Sequence, residues 1–125
     1  MINKYKKQFG VWMDSHVAII AGRDQSEQQR FYILGQVHNA GAANNSNENT
    51  ANNHEVTLTQ KFFKEIAAKM VNIDEIHVTG TGQIQEQFIR FLGETPQYRN
   101  VIAKESTTNR ISDELLIEFF EAYFK

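Results

Sequence analysis

The sequence contains no cysteine, and with that absence go disulfide staples, thiolate nucleophiles and cysteine-ligated zinc. A cytoplasmic, reducing setting fits this composition. Positive charge has no surplus either: 13 lysines and arginines face 15 aspartates and glutamates, for a formal net charge of -2. Phosphate contacts need a local excess of cations, so no binding of free DNA is expected, and any RNA contact has to use a small patch. Long hydrophobic runs are missing as well. The basic start, Met1 to Lys7, leads into a strand interrupted by Asp14 and His16, not into an apolar segment of signal-peptide or membrane-spanning length. Neither export nor membrane insertion is expected. Proline occurs once, and 41% of the 125 residues are hydrophobic, which describes one globular domain with a real core rather than a disordered or fibrous chain.

What is present reads as alternating elements. Phe9 to Met13 and Val17 to Ala21 are short apolar runs around Asp14-Ser15-His16, the pattern of a hairpin with a polar turn. A third strand follows from about Arg30 to Val37, completing an antiparallel meander. Residues 38–54 then carry no large apolar side chain and many asparagines, whose side chains compete with regular structure, so a mobile loop is expected there. Thr57, with Gln60 three residues on, has the form of a capping box for a first helix whose buried face is Leu58, Phe62, Ile66 and Met70. That helix stops near Asn72. Glu75 to Thr79 is the fourth strand and Val101 to Lys104 the fifth.

Between these strands, Thr79-Gly80-Thr81-Gly82-Gln83 opens a second helix marked by Ile84, Phe88, Phe91 and Leu92 and ended by Gly93 and Pro96. The two glycines permit positive φ and close backbone approach, and the turn leaves helix N–H groups at the carboxyl end of a strand, where a phosphate or carboxylate fits. Residues 79–83 are therefore the candidate ligand-binding residues. The bland alternative is a tight connection with no ligand. Ser112 caps the last helix, with Asp113 and Glu114 set favourably against its dipole. Its stripe of Leu115, Leu116, Phe119, Phe120 and Tyr123 is expected to face the core, the alternative being a partner-binding ridge. The order β-β-β-α-β-α-β-α defines an α/β domain in which right-handed crossovers bring the later strands beside the first, giving a single mixed sheet.

Several of these stretches form a familiar set. Val11-Trp12-Met13-Asp14, His38 and His54 around the loop, Phe62 to Ala67, Val78-Thr79-Gly80-Thr81-Gly82 with Phe88 and Leu92, and the closing Tyr123-Phe124 resemble small bacterial proteins related to archaeal release factors. That family is similar to the central domain of peptide-chain release factor and of Pelota. The resemblance implies a ribonuclease H-like, translational machinery component fold and a partner in the ribosome or among translation factors. It does not imply peptide release. Release factors carry a Gly-Gly-Gln tripeptide in the loop between the third strand and the first helix, and the asparagine-rich segment here has neither a glycine pair nor a glutamine. Gly80-Thr81-Gly82-Gln83 imitates the tripeptide at a later junction, so in this respect the chain is closer to Pelota, whose central domain also lacks it.

Other chemistry-bearing residues are sparse. Asp14, His16, His38 and His54 are the candidate ligands for a divalent ion if the long loop folds back over the hairpin, although no two of the histidines share a short preset spacing. Otherwise no cofactor is expected. His77 reads as an ordinary strand histidine because no neighbouring serine or carboxylate motif supports catalysis. Trp12 reads as core. A non-enzymatic translation-associated protein is the leading expectation; a phosphate- or nucleotide-binding module or hydrolase built on the 79–83 turn, and a homodimer acting through its assembly surface, are the rivals.

Overall fold

The structure, a computed structural model, describes residues 7–23, 30–39 and 48–124, with side chains in the last segment from residue 58 onward. Five strands form one sheet in the order β3-β2-β1-β4-β5. They are β1 (Gln8–Met13), β2 (Val17–Arg23), β3 (Phe31–His38), β4 (Glu75–Gly80) and β5 (Ile102–Glu105). The meander is antiparallel, whereas β4 lies parallel to β1 and β5 parallel to β4. β1 is central and buried on both faces, which is why it reads as a nearly continuous apolar run.

Two helices cover one face of the sheet, α1 (Glu48–Ala68) and α2 (Ile84–Glu94), and α3 (Asp113–Tyr123) covers the other. Side chains alternate accordingly. Val11, Met13, Ile20, Ile76 and Val78 meet Phe62, Ile66 and Phe88 on the α1/α2 side. Trp12, Ile19, Ala21 and Phe31 meet Leu116 and Phe120 on the α3 side. Gly10 is required there because α3 approaches closely: a Cβ at this position would lie 2.5 Å from the Phe120 ring.

Two sequence expectations are corrected. The first helix reaches back to Glu48, so residues 48–54 are helical rather than loop and Thr57 lies inside the helix rather than at its N-cap. Once Phe62, Phe63 and Ile66 anchor the helix on the sheet, each added residue contributes a hydrogen bond without a new nucleation cost, and this outweighs the weak propensity of the asparagines. Residues 40–47 of the expected loop lie outside the described residues, as does the side chain of His54. The second correction concerns α3: only Leu116 and Phe120 of its stripe are buried, while Leu115 and Tyr123 are 52% and 43% exposed. The cap itself forms as expected, with the Leu115 N–H donating to Ser112 Oγ at 3.2 Å.

Candidate functional site

The carboxyl ends of β1 and β4 lie side by side, with Met13 paired to Gly80, and the glycine turn leaves from that point. Gly80 does not have positive φ, and neither does Gly82. Their requirements differ. A Cβ on Gly80 would sit 1.8 Å from the Met13 carbonyl oxygen, so the residue is fixed by close approach of two backbones; around Gly82 there is open space.

An internal side chain already occupies the mouth of the turn. Gln85, fully buried in the first turn of α2, accepts from the Gly82 N–H through Oε1 at 3.1 Å and donates through Nε2 to the Ser106 carbonyl at 3.1 Å. The amide thereby supplies the acceptor that an anion would otherwise bring to Gly82. Gln83, at the helix N-cap, makes no side-chain cap, and Thr81, Gly82 and Gln83 are exposed. Thr79 faces the opposite way. It is buried under α3, with its hydroxyl 2.7 Å from Thr108 Oγ1.

Thr79 belongs to a row of polar groups that the sequence reading did not assemble. The Ser106 hydroxyl donates to Thr79 Oγ1 at 2.8 Å and lies 2.7 Å from His77 Nε2. With the serine proton directed to Thr79, the imidazole proton resides on Nε2, and Nδ1 is left as a buried acceptor with no partner. At the other end of the row, Trp12 Nε1 donates to the Thr108 carbonyl at 3.0 Å. His77 is 3% exposed, packed against Phe119, Phe120 and Tyr123, the last with ring centroids 3.9 Å apart. Burial pushes its pKa below the ordinary histidine value, holding it neutral. The serine missing from the sequence around His77 is 29 residues away, delivered by the parallel pairing of β5 with β4. The signal for it was present in alternation alone: Lys104, Ser106 and Thr108 fall on the same side as His77 and Thr79.

The candidate metal ligands are placed less favourably. Asp14 Oδ1 accepts the N–H groups of His16 and Val17, at 2.8 and 2.9 Å, and so acts as the local cap of the hairpin turn. His38 ends β3 opposite Val17 with an exposed side chain. Asn39 ties these two turns together, its backbone N–H donating to the His16 carbonyl and its side chain to the Ser15 carbonyl. Among the described residues no group of three or more histidines, aspartates and glutamates is arranged to hold a metal ion. Nor is any described helix long and apolar enough to cross a membrane.

A mixed five-stranded sheet with a meander, two crossover helices on one face and a terminal helix on the other defines the fold class, and solved structures share it. Residues covering 93% of this chain superpose on the Thermoplasma acidophilum Pelota protein with a TM-score of 0.61 at 19% identity. Archaeoglobus fulgidus Pelota gives the same TM-score at 15% identity over 95% of this chain. A chain from a model of ribosome-bound archaeal Pelota aligns over 88% of this chain and 30% of its own length, with a TM-score of 0.48 and 18% identity. The chain spans about a third of the two Pelota structures, 32% in each case, so the shared fold is that of one domain of a larger protein. No protein-family model matches the sequence, and no match was found among curated proteins.

Proposed function

We propose that the protein is a non-enzymatic, cytoplasmic, translation-associated binding module that engages the ribosome or a factor bound to it. The observation that carries this reading is the Pelota-like fold over 93% of the chain, the same likeness that its residues suggested. Archaeal Pelota is itself described bound to the ribosome. The missing Gly-Gly-Gln argues for binding without peptide release, and the polar row beneath α3 supports the same view: His77 is roofed by aromatic rings, and the hydroxyl beside it is directed to another buried hydroxyl. Co-sedimentation of the full chain with ribosomes, at low and moderate salt, tests the proposal. Association that survives moderate salt is the expected result; protein found only in the free fraction overturns it. Peptide release from a loaded ribosome, lost on Gln83→Ala, would overturn the non-enzymatic part.

A rival reading has one specific observation in its favour, the uncapped and exposed start of α2 at Gln83, which suits an anion. Against it, Gln85 already satisfies the Gly82 N–H and Glu86 brings negative charge into the first turn.

A further inference from the structure

The recesses of this molecule differ in charge. The groove between α1 and α2 pairs Arg90 with Glu94 on its walls, and the recess at the start of β4 and β5 pairs Lys104 with Glu75. A recess of about 400 Å³ where the β2–β3 side of the sheet meets the end of α1 is lined, among the described residues, by Lys7, Arg23 and Lys69 and by no carboxylate. In a protein of net charge -2 the described lining of this recess carries only positive charge.

The three cations are not equivalent. Arg23 directs its guanidinium to Gln8 Oε1 and the Phe124 carbonyl and over the Phe31 ring, on the α3 side of the sheet near Glu121 and Glu75, so the cations that serve the recess are Lys7 and Lys69. Lys69 stretches across Gly35, where an added Cβ would lie 3.7 Å from its Nζ. Asp74, next to Lys7 in space, bonds the Lys7 backbone N–H at 2.7 Å rather than its side chain. No ion pair within 4.0 Å involves the Lys7 or Lys69 side chain among the described residues. Tyr32 stands at the rim, 48% exposed, beside Leu34.

We infer that this recess is the contact surface for a single strand of RNA, with backbone phosphates on Lys7 and Lys69 and a base laid on the Tyr32 ring. The charge complementarity is direct, since ammonium groups act as point charges for phosphate oxygens. A volume of about 400 Å³ is enough for about one nucleotide. A half-exposed aromatic ring beside cations is the arrangement by which single strands are held through stacking. An acidic peptide would use the lysines and leave the ring without a role. This assignment rests on the proposed ribosome association and gives it a place on the molecule.

The test is fluorescence anisotropy of a labelled single-stranded RNA roughly ten nucleotides long, titrated with the full chain across a salt series. Lys7→Glu with Lys69→Glu is expected to weaken binding by about tenfold or more and to flatten the log–log salt slope by about 1.4, two phosphates at about 0.7 each. Lys7→Arg with Lys69→Arg retains binding. Tyr32→Ala weakens it by about fivefold or more with the slope unchanged, as expected for loss of stacking. All three sets lie at the surface, and an unchanged melting curve verifies that each folds. The inference is overturned if the wild-type chain does not bind the RNA, if the glutamate pair binds as the wild type does, or if polyglutamate competes as well as RNA of equal charge. Ribosome co-sedimentation separates the two readings. Ribosome association that persists in the glutamate pair overturns the recess and leaves the proposed function standing; RNA binding through the recess without ribosome association overturns the proposed function alone.

Discussion

On the α1/α2 side, β4 presents Ile76 and Val78 to an apolar cluster that includes Phe62, Ile66 and Phe88, and the one buried polar side chain described on these helices, Gln85, sits at the end of the strand beside Gly80. On the α3 side the same strand presents Glu75, His77 and Thr79, and aromatic packing there shares its space with a hydrogen-bonded row. Around Ile76 and Val78 the first face is held by shape and area. The other depends on polar partners being present, because a buried hydroxyl or imidazole that loses its partner costs free energy that a methyl group does not. This difference gives the faces distinct responses to substitution.

The largest effects come from removing rings at the centre of each face. Phe88→Ala on the α1/α2 side and Phe120→Ala on the α3 side, both fully buried, are each expected to lower unfolding free energy by about 3–5 kcal/mol in denaturant titration. They differ in how they can be repaired. Because Gly10 lies directly under Phe120, Gly10→Ala alone is destabilising by about 1–3 kcal/mol, yet its added methyl partly fills the space left by Phe120→Ala. The double variant is therefore expected to be more stable than the sum of the singles predicts, by about 0.5–3 kcal/mol. Strict additivity would mean that α3 does not rest on Gly10.

How much of this was legible depends on range. The buried residues of β1, the Ser112 cap and the crossover topology follow from a continuous apolar run, from a side chain three residues before its donor, and from chain connectivity. Three features depend on neighbours distant in sequence. Gly80 is glycine because the Met13 carbonyl approaches it across a parallel pair, whereas turn chemistry alone suggests positive φ. His77 finds Ser106 only through the register of β5 on β4, and Gln85 spans from Gly82 to Ser106. The reach of α1 back to Glu48 shows the opposite limit, tertiary anchoring overriding the propensity of its asparagines.

A smaller effect exchanges the character of adjacent positions on β4. Thr79→Val keeps the shape but leaves Thr108 and Ser106 without a shared partner, and Val78→Thr places a hydroxyl among apolar groups. Each is expected to cost about 1–3 kcal/mol by chemical denaturation, although the two substitutions are opposite in polarity. A neutral Thr79→Val would mean that the hydroxyl row contributes nothing net and that both faces are held by packing alone.

The pH dependence sharpens the comparison further. Burial lowers the His77 pKa below its unfolded value near 6.5, so folding favours the neutral ring. Its contribution is fully present above about pH 6.5 and is lost as pH falls from there through the lower folded pKa, because the unfolded chain binds the proton more readily. His77→Phe retains a ring against Tyr123 and leaves the Ser106 hydroxyl bonded to Thr79. The difference in melting temperature between wild type and variant, followed from pH 7.5 to 5, is expected to shift in favour of the variant as the solution becomes more acidic. A difference independent of pH would show that His77 does not titrate with folding.

The smallest expected effect is at the glycine turn, where the rival function would lie. Gly82 N–H already donates to Gln85, Thr79 is buried beneath α3, and Glu86 opposes an anion at the start of α2. Addition of millimolar phosphate to the wild-type chain is therefore expected to leave the amide resonances of Thr79 and Gly82 in place and the melting temperature unchanged. Gln85→Ala removes the internal acceptor and supplies the contrast: if the turn has an intrinsic preference for anions, the Gly82 resonance responds in this variant and not in the wild type. A saturable response in the wild type, accompanied by a rise in melting temperature from mass action, would show that phosphate displaces Gln85 and would move the function of this protein from partner binding to ligand binding.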